Sequence, residues 1–133
     1  MKYFNPEFMP SKPTTKATKR PNSKDEQTLQ SKCYRWFKNT YPQEYGRMWM
    51  QYNNPRSMQT GVFLKAQGMV SGVSDLAFIR SDGRMVFIEL KTEKGRQSEE
   101  QKWWQSVVEA NQARYYIVRT LEEFQTIILN NIN

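Results

Sequence analysis

The chain has 133 residues, enough for one domain with a modest hydrophobic core, and carries a net charge of +7 from 20 Lys and Arg against 13 Asp and Glu. This charge favours an anionic partner, and nucleic acid is the first candidate because we find neither a membrane-spanning apolar stretch nor a secretory leader. The lack of histidine excludes a histidine base and a histidine-ligated zinc, and the single cysteine, Cys33, excludes an internal disulfide and is compatible with a reducing cytoplasm.

Residues 1–23 form a basic segment rich in Pro, Thr, Lys and Ser. Residues 1–24 carry six basic residues against one acidic residue, Glu7, and so account for +5 of the net +7. This composition predicts a disordered arm that orders on DNA or on a partner subunit, with a simple solubilising tail as the alternative. Residues 24–133 are predicted to form the folded domain.

A capping-box sequence opens the folded region. Ser23 fits the N-cap position and Glu26 the N3 position of a helix that ends or breaks at Pro42. Apolar residues at helical spacing predict its buried face: Leu29, Cys33, Trp36, Phe37 and Tyr41. On its position alone, Glu26 is a capping carboxylate.

The next segments predict a strand and a connection. Residues 48–52 predict the first strand, which the turn residues 53–55 end. The segment 56–72 contains two glycines and an apolar run interrupted by Lys65, so it predicts either a short helix or a loop. Arg56 and Lys65 are candidate phosphate contacts, although surface cations are most often merely solvated.

A β-hairpin is predicted in the middle of the chain. Two apolar runs, residues 76–79 and 85–88, flank the Ser-Asp-Gly turn at 81–83, which supplies the positive φ that a tight reversal needs. Because both runs are almost wholly apolar, both faces of these strands are expected to be covered, as in the centre of an α/β sheet.

Loop length decides which charged residues meet at the open end of this hairpin. Side chains alternate along a strand, so Glu89 and Lys91 share one face while Leu90 points to the other. A two-residue loop would pair Asp75 with Leu90, whereas a three-residue loop, with its glycine left-handed in a bulge, pairs Asp75 with Glu89. We predict the longer loop, and therefore two carboxylates and one ammonium group on one side of the sheet.

Paired carboxylates indicate a metal site. They repel each other unless one is protonated or a cation lies between them, and hard oxygen ligands suit Mg²⁺, with Mn²⁺ as a substitute. The backbone carbonyl of Leu90 is a further candidate ligand, and Lys91 is placed to orient a water or to stabilise developing charge. The alternative is a plain ion pair between Glu89 and Lys91 at the end of a sheet.

A polar loop and a second helix follow. Lys94 and Arg96 in this loop are candidate phosphate contacts. Ser98 and Gln101 fit a capping box that begins a helix ending near Ala110, so Gln101 has a structural role from its position alone. Asn111 is the predicted left-handed residue at the end of this helix.

The remaining residues complete an α/β pattern. Residues 113–119 predict a strand next to the Glu89 strand, reached through a helical crossover, and residues 121–132 predict a final helix. The predicted order is α-β-β-β-α-β-α, with one mixed sheet flanked by helices.

Two stretches of sequence carry a resemblance to known nucleases. The string G-V-S-D-L-A-F-I at residues 72–79 is followed by F-I-E-L-K-T-E-K-G-R-Q-S-E-E-Q-K-W-W at residues 87–104. An Asp, a hairpin and Glu-x-Lys resemble the PD-(D/E)XK nuclease core. The fuller strings resemble the VRR-NUC (virus-type replication-repair nuclease) family over residues 24–132.

This resemblance implies a restriction-endonuclease-like PD-(D/E)XK fold and a role for each matching residue. Asp75 and Glu89 match the metal ligands, and Lys91 matches the catalytic lysine. Gln101 matches a functional glutamine on the following helix, and Glu26 matches a glutamate of the amino-terminal helix.

The charge, the site and the resemblance together predict a Mg²⁺-dependent, structure-specific DNA endonuclease. Branched DNA of the Holliday-junction type is the first expected substrate, and a homodimer is expected because one small domain covers only a short stretch of duplex. Alternatives are a flap or nicking nuclease, a subunit of a larger repair or restriction complex, and a nucleic-acid-binding module without catalysis. Ser74 stands where the family often has proline, which loosens the approach to Asp75 without removing a catalytic group.

Overall fold

A four-stranded mixed sheet organises the structure, a computed structural model that describes residues 11–12, 24–52 and 58–133. Four α-helices and four strands lie within these residues, with a short 3-10 helix at Pro42–Glu44: α1 (Lys24–Thr40), β1 (Met48–Met50), α2 (Met58–Ala66), β2 (Leu76–Ile79), β3 (Met85–Leu90), α3 (Glu99–Ala110), β4 (Arg114–Val118) and α4 (Leu121–Asn131). The predicted arm, apart from residues 11–12, and the residues Ser23 and Arg56 lie outside the described part. None of the described helices combines the length and the apolar character needed to cross a membrane.

The strand order confirms the predicted mixed sheet. The order is β1-β2-β3-β4, with the first two pairs antiparallel and the β3–β4 pair parallel through the connecting helix α3. Helix α2 is an addition to the predicted order, and it settles the choice between helix and loop that residues 56–72 left open.

The hairpin of β2 and β3 has the predicted three-residue loop. Leu76 pairs with Ile88 and Ile79 with Met85, which leaves residues 81–83 as the loop. Gly83 adopts φ +83°, the left-handed conformation that a bulged turn of this kind requires. The same register, continued by one residue, places Asp75 opposite Glu89.

The two faces of the sheet are covered by different layers. Helices α1 and α4 pack on the apolar face, where Phe37 meets the ring of Phe78 edge-on with centroids 5.8 Å apart. Helix α3 covers the other face, where the Trp104 ring lies 4.8 Å from Phe87 and 6.1 Å from Tyr115. Because side chains alternate, Glu89 shares this second face with Phe87 and Tyr115.

The end of α3 departs from the prediction. Asn111 was expected to be left-handed, but it has φ −99° and the left-handed residue is Gln112, with φ 65°. The Asn111 side-chain amide donates to the carbonyl of Val107 at 2.8 Å, so Asn111 closes the last turn of the helix with its side chain. The reversal is therefore displaced by one residue.

Candidate active site

Asp75, directly before β2, is held across the hairpin by backbone hydrogen bonds. Its Oδ2 accepts a hydrogen bond of 2.8 Å from the backbone N–H of Leu90, and its own carbonyl accepts one of 2.8 Å from Gln51. The side chain is buried. The carboxylate therefore has a fixed orientation towards the end of β3.

The backbone N–H groups of Leu90 and Lys91 point to opposite sides of the strand. The N–H of Lys91 donates to the carbonyl of Val118 on β4 at 2.9 Å, whereas the N–H of Leu90 points to Asp75. In a strand the N–H and the carbonyl of one residue point to the same side. The carbonyl of Leu90 is therefore directed to the side on which the Asp75 carboxylate lies.

Glu89 is the deepest charged group of the described residues, with no exposed surface. Its Oε1 accepts a hydrogen bond of 2.8 Å from the side-chain amide of Gln101 and lies 3.7 Å from the ammonium group of Lys91, which is also buried. Its Oε2 is buried and accepts no hydrogen bond from any residue that the structure describes. One oxygen of this carboxylate is satisfied and the other is open.

The electrostatic surroundings of Glu89 oppose its ionisation. Burial is the largest cause that raises its pKa well above the ordinary value, and the negative charge of Asp75 is the next. The ammonium of Lys91 acts in the opposite direction, while the neighbouring Asp75 side chain and the charge of Glu26 raise the pKa further. Without a cation, a second negative charge in this site is costly.

Gln101 combines the two roles that the sequence left open. Its side-chain Oε1 accepts from the backbone N–H of Ser98 at 2.8 Å, and its backbone N–H donates to the Ser98 hydroxyl at 3.2 Å, which completes the predicted capping box. With Oε1 engaged in the cap, the amide group points to Glu89. Helix capping thus fixes the orientation of a side chain in the candidate site.

Glu26 reaches the same region from the opposite layer of the structure. It is buried in the first turn of α1 and is close enough to raise the pKa of Glu89. A Cβ atom added at Gly95 would lie 3.1 Å from Oε1 of Glu26 and 2.9 Å from the Thr92 hydroxyl. The carboxylate therefore packs closely on the loop that follows β3.

Arg119 was missed from the sequence and holds this loop in place. Its Nη1 atom donates to the carbonyls of Thr92 at 2.6 Å, Gly95 at 2.7 Å and Glu93 at 3.2 Å. In the parallel register Leu90 pairs with Val118, so Arg119 follows β4 where the loop follows β3. The predicted adjacency of these two strands is the signal that could have placed Arg119 beside this loop.

Ser74 and Gly72 shape the approach to Asp75. Ser74 is fully buried. Its hydroxyl donates to the carbonyl of Leu76 at 2.9 Å and accepts from the side-chain amide of Gln51 at 3.0 Å. The expected loosening at this position is therefore offset by hydrogen bonds that proline lacks. Gly72 has φ +90°, and a Cβ atom there would overlap the backbone carbonyl of Glu100, so only glycine allows α3 this close.

The remaining predicted contacts lie at the surface. Lys94 and Arg96 are exposed and flank Gly95 in the loop beside the carboxylates. Lys65 is exposed near the end of α2 and lies outside the group of contacting side chains. The structure thus brings together five of the predicted residues: Glu26, Asp75, Glu89, Lys91 and Gln101.

The carboxylates match the ligand chemistry of a small divalent cation. Within residues 24–52 and 58–133, no three His, Cys, Asp or Glu side chains come together as a ready-made metal cluster. A cation would depend on Asp75, on the open oxygen of Glu89, and on the carbonyl of Leu90 with water. Mg²⁺ is commonly held in this way, by one or two carboxylates with retained waters.

Comparison with known families gives one match. The VRR-NUC domain matches residues 22–121, which run from the start of α1 to the start of α4 and contain every residue of the candidate site. No curated protein and no solved structure matches the chain. The match covers well over half of the 133 residues and agrees with the resemblance in the sequence. The chain therefore belongs to the VRR-NUC family, a family of nucleases.

Proposed function

We propose that the protein is a Mg²⁺-dependent DNA endonuclease with a PD-(D/E)XK-type active site. The observation that carries the proposal is the buried pair of Asp75 and Glu89, in which Oε2 of Glu89 has no donor among the described residues. A plain ion pair with Lys91 does not account for this arrangement, because the ammonium lies beside Oε1, the oxygen that Gln101 already satisfies. A cation between the carboxylates would supply the missing partner.

Asp75, Glu89 and the carbonyl of Leu90 would hold the ion. Bound there, Mg²⁺ would polarise the scissile phosphate and lower the pKa of the attacking water. The rigidity of the site supports this role, since both carboxylates are already oriented by hydrogen bonds before any ligand arrives.

The remaining polar groups act on the reacting phosphate or on the ligands. The ammonium of Lys91 orients the attacking water or offsets the negative charge that develops on the phosphate in the transition state. Gln101 keeps Oε1 of Glu89 engaged, which would leave Oε2 to hold the ion, and Glu26 completes the polar shell. Exposed Lys94, Arg96 and Lys65 contact phosphates farther along the DNA.

Branched DNA is the proposed substrate, and a homodimer is the proposed assembly. The chain is basic but small, so a second copy would be needed to act on both strands of a junction. A flap or nicking nuclease with the same chemistry is the alternative within this class.

A cleavage assay on a panel of DNAs tests the proposal. Four-way junctions, flaps and linear duplex are incubated with Mg²⁺, with Mn²⁺ and with EDTA, using wild type, Asp75→Asn and Asp82→Asn. Asp82 is the matched control because it lies on the same hairpin at the opposite, exposed end. We expect metal-dependent cleavage that Asp75→Asn abolishes and Asp82→Asn leaves intact. Cleavage in EDTA, or by Asp75→Asn, would overturn the mechanism, and cleavage of linear duplex alone would exclude the junction substrate.

A further inference from the structure

A groove of about 730 Å³ opens between α1 and the edge strand β1 and runs up to Asp75. We propose that this groove is a base-stacking subsite, which binds unpaired nucleotides of the strand that is cleaved at Asp75. This inference rests on the proposed nuclease function and, within it, favours flapped DNA over a fully paired four-way junction, because the groove would select single-stranded nucleotides next to the scissile phosphate.

Aromatic side chains line the groove and are left open to solvent. Tyr45 is 72% exposed, Tyr52 54% and Trp49 39%, and Tyr34 on α1 contributes a further ring. Aromatic faces are the surfaces on which the bases of single-stranded nucleic acids stack, whatever their sequence. A groove that exposes Trp49 of β1 and the tyrosines on either side of this strand therefore suits the face of a base better than a sugar or a phosphate.

The charge of the lining distinguishes bases from backbone. Among the described residues that form the groove, Asp75 alone is charged, and no lysine or arginine takes part. A surface that follows the phosphates of a duplex needs cations, and none belongs to the described lining of this groove. Its polar groups include the amides of Gln27 and Gln30, which can donate to and accept from the edges of bases. The hydroxyl of Ser31 donates to the carbonyl of Gln27 at 3.0 Å and can still accept.

The position of Asp75 decides between a nucleic acid strand and a second protein chain. Asp75 lines the groove and lies across from Glu89, so whatever fills the groove directly adjoins the site of cleavage. A second copy docked here would cover Asp75 and exclude the substrate, whereas the strand that is cut must pass this point. Bases that are paired and stacked inside a duplex cannot reach the rings, so continuous duplex gains nothing from the groove.

Binding measurements with an inactive protein test the subsite without depending on cleavage. Full-length Asp75→Asn protein is titrated with blunt duplex and with flapped DNA that carries 2-aminopurine in the unpaired arm beside the branch. We expect quenching of the 2-aminopurine fluorescence on binding. Adding Trp49→Ala or Tyr45→Ala should reduce this quenching and weaken binding of flapped DNA about ten-fold, with duplex binding unchanged. Phe63→Ala is the matched control, because Phe63 is 64% exposed on α2 and lies outside the groove lining.

The outcomes separate this inference from the proposed nuclease. Equal losses of affinity for duplex and for flapped DNA would overturn the subsite even if Mg²⁺-dependent cleavage is found. Quenching of 2-aminopurine that the ring substitutions leave unchanged would overturn it as well. A Trp49→Ala protein whose oligomeric state changes in light scattering would show that the groove is a contact between copies, which also overturns it. If the ring substitutions weaken binding of flapped DNA alone, and the wild-type protein shows no metal-dependent cleavage, the subsite is supported and the nuclease proposal is overturned.

Discussion

The two ends of the β2–β3 hairpin place the same chemical group in opposite surroundings. At the turn, the carboxylate of Asp82 is exposed, and hydrogen bonds of 3.0 Å from the backbone N–H of Arg84 and 3.2 Å from the side chain of Arg80 lower its pKa. At the open end, Glu89 is buried beside Asp75, and its pKa is raised. One end stabilises its negative charge without help, and the other end does not.

This difference indicates what each end does. A carboxylate at an exposed turn is satisfied locally by the backbone and by neighbouring cations, and it serves the turn itself. A buried carboxylate with an open oxygen and a like charge beside it makes the fold less stable, so its presence calls for a ligand that the fold alone does not supply. Substitutions made at one end at a time therefore test this difference.

Glu89→Gln should produce the largest effect and should separate activity from stability. We expect the rate of cleavage to fall at least about 100-fold, because a neutral amide holds a cation less well than a carboxylate. Without the cation, the negative charge that develops on the phosphate in the transition state is not stabilised. The free energy of unfolding in EDTA at neutral pH should rise, since burial and the charge of Asp75 oppose the ionised form of Glu89 and the substitution removes that charge at nearly constant volume. Single-turnover cleavage and denaturant unfolding measure the two quantities. A variant that is both inactive and less stable than wild type would contradict the cost assigned to this charge.

The stability of the metal-free protein should depend on pH in the direction set by Glu89. A carboxyl group with a raised pKa binds its proton more tightly in the folded state, so its favourable contribution is complete below the ordinary value of 4.5. That contribution is lost as the pH rises from there through the folded pKa. Thermal unfolding in EDTA across this range should show the decline in wild type and a flatter profile in Glu89→Gln. Added Mg²⁺ should restore stability on the alkaline side, and identical profiles for the two proteins would contradict the assignment.

The sequence predicted the parts of the site that depend on local rules. A turn of three residues fixes which residues of the two strands lie opposite each other, so the pairing of Asp75 with Glu89 followed from the loop Ser81-Asp82-Gly83. The capping box likewise fixed Gln101 at the first turn of α3, although its second contact, to Glu89, needed the sheet and the helix in their final places.

Features that depend on packing between distant segments could not be predicted in the same way. The three carbonyl contacts of Arg119 follow from the parallel register of β3 and β4, which no turn specifies. Helix α2 has an apolar run with little periodicity and an internal glycine, Gly61, so its pattern did not distinguish helix from loop. At Asn111 the side chain caps the helix without leaving the right-handed conformation, an option that the residue type does not reveal.

Arg119→Lys should have an intermediate effect, because it acts on the site through the loop that follows β3. A lysine at this position keeps the charge, but its side chain is one bond shorter and ends in a flexible ammonium, so it does not reach the position from which Nη1 contacts all three carbonyls. We expect kcat to fall about ten-fold with little change in KM, because a displaced loop disturbs the geometry around Glu26 rather than the binding of distant phosphates. The matched control is Arg84→Lys, an exposed arginine at the turn end of the hairpin. A rise in KM with kcat unchanged would exclude the positioning role. An equal fall in kcat in both variants would also exclude it.

Asp82→Asn should give the smallest effect and one of opposite sign to Glu89→Gln. Because the pKa of Asp82 is lowered in the folded state, its favourable contribution is present above the ordinary value of 3.8 and is lost as the pH falls through the folded pKa. The variant should therefore be slightly less stable than wild type near neutrality and should converge with it only in strong acid, while cleavage stays unchanged. The same thermal unfolding series in EDTA checks this. If Asp82→Asn instead stabilised the protein at neutral pH, the contrast between a self-sufficient carboxylate at the turn and a ligand-dependent one at the open end would be wrong.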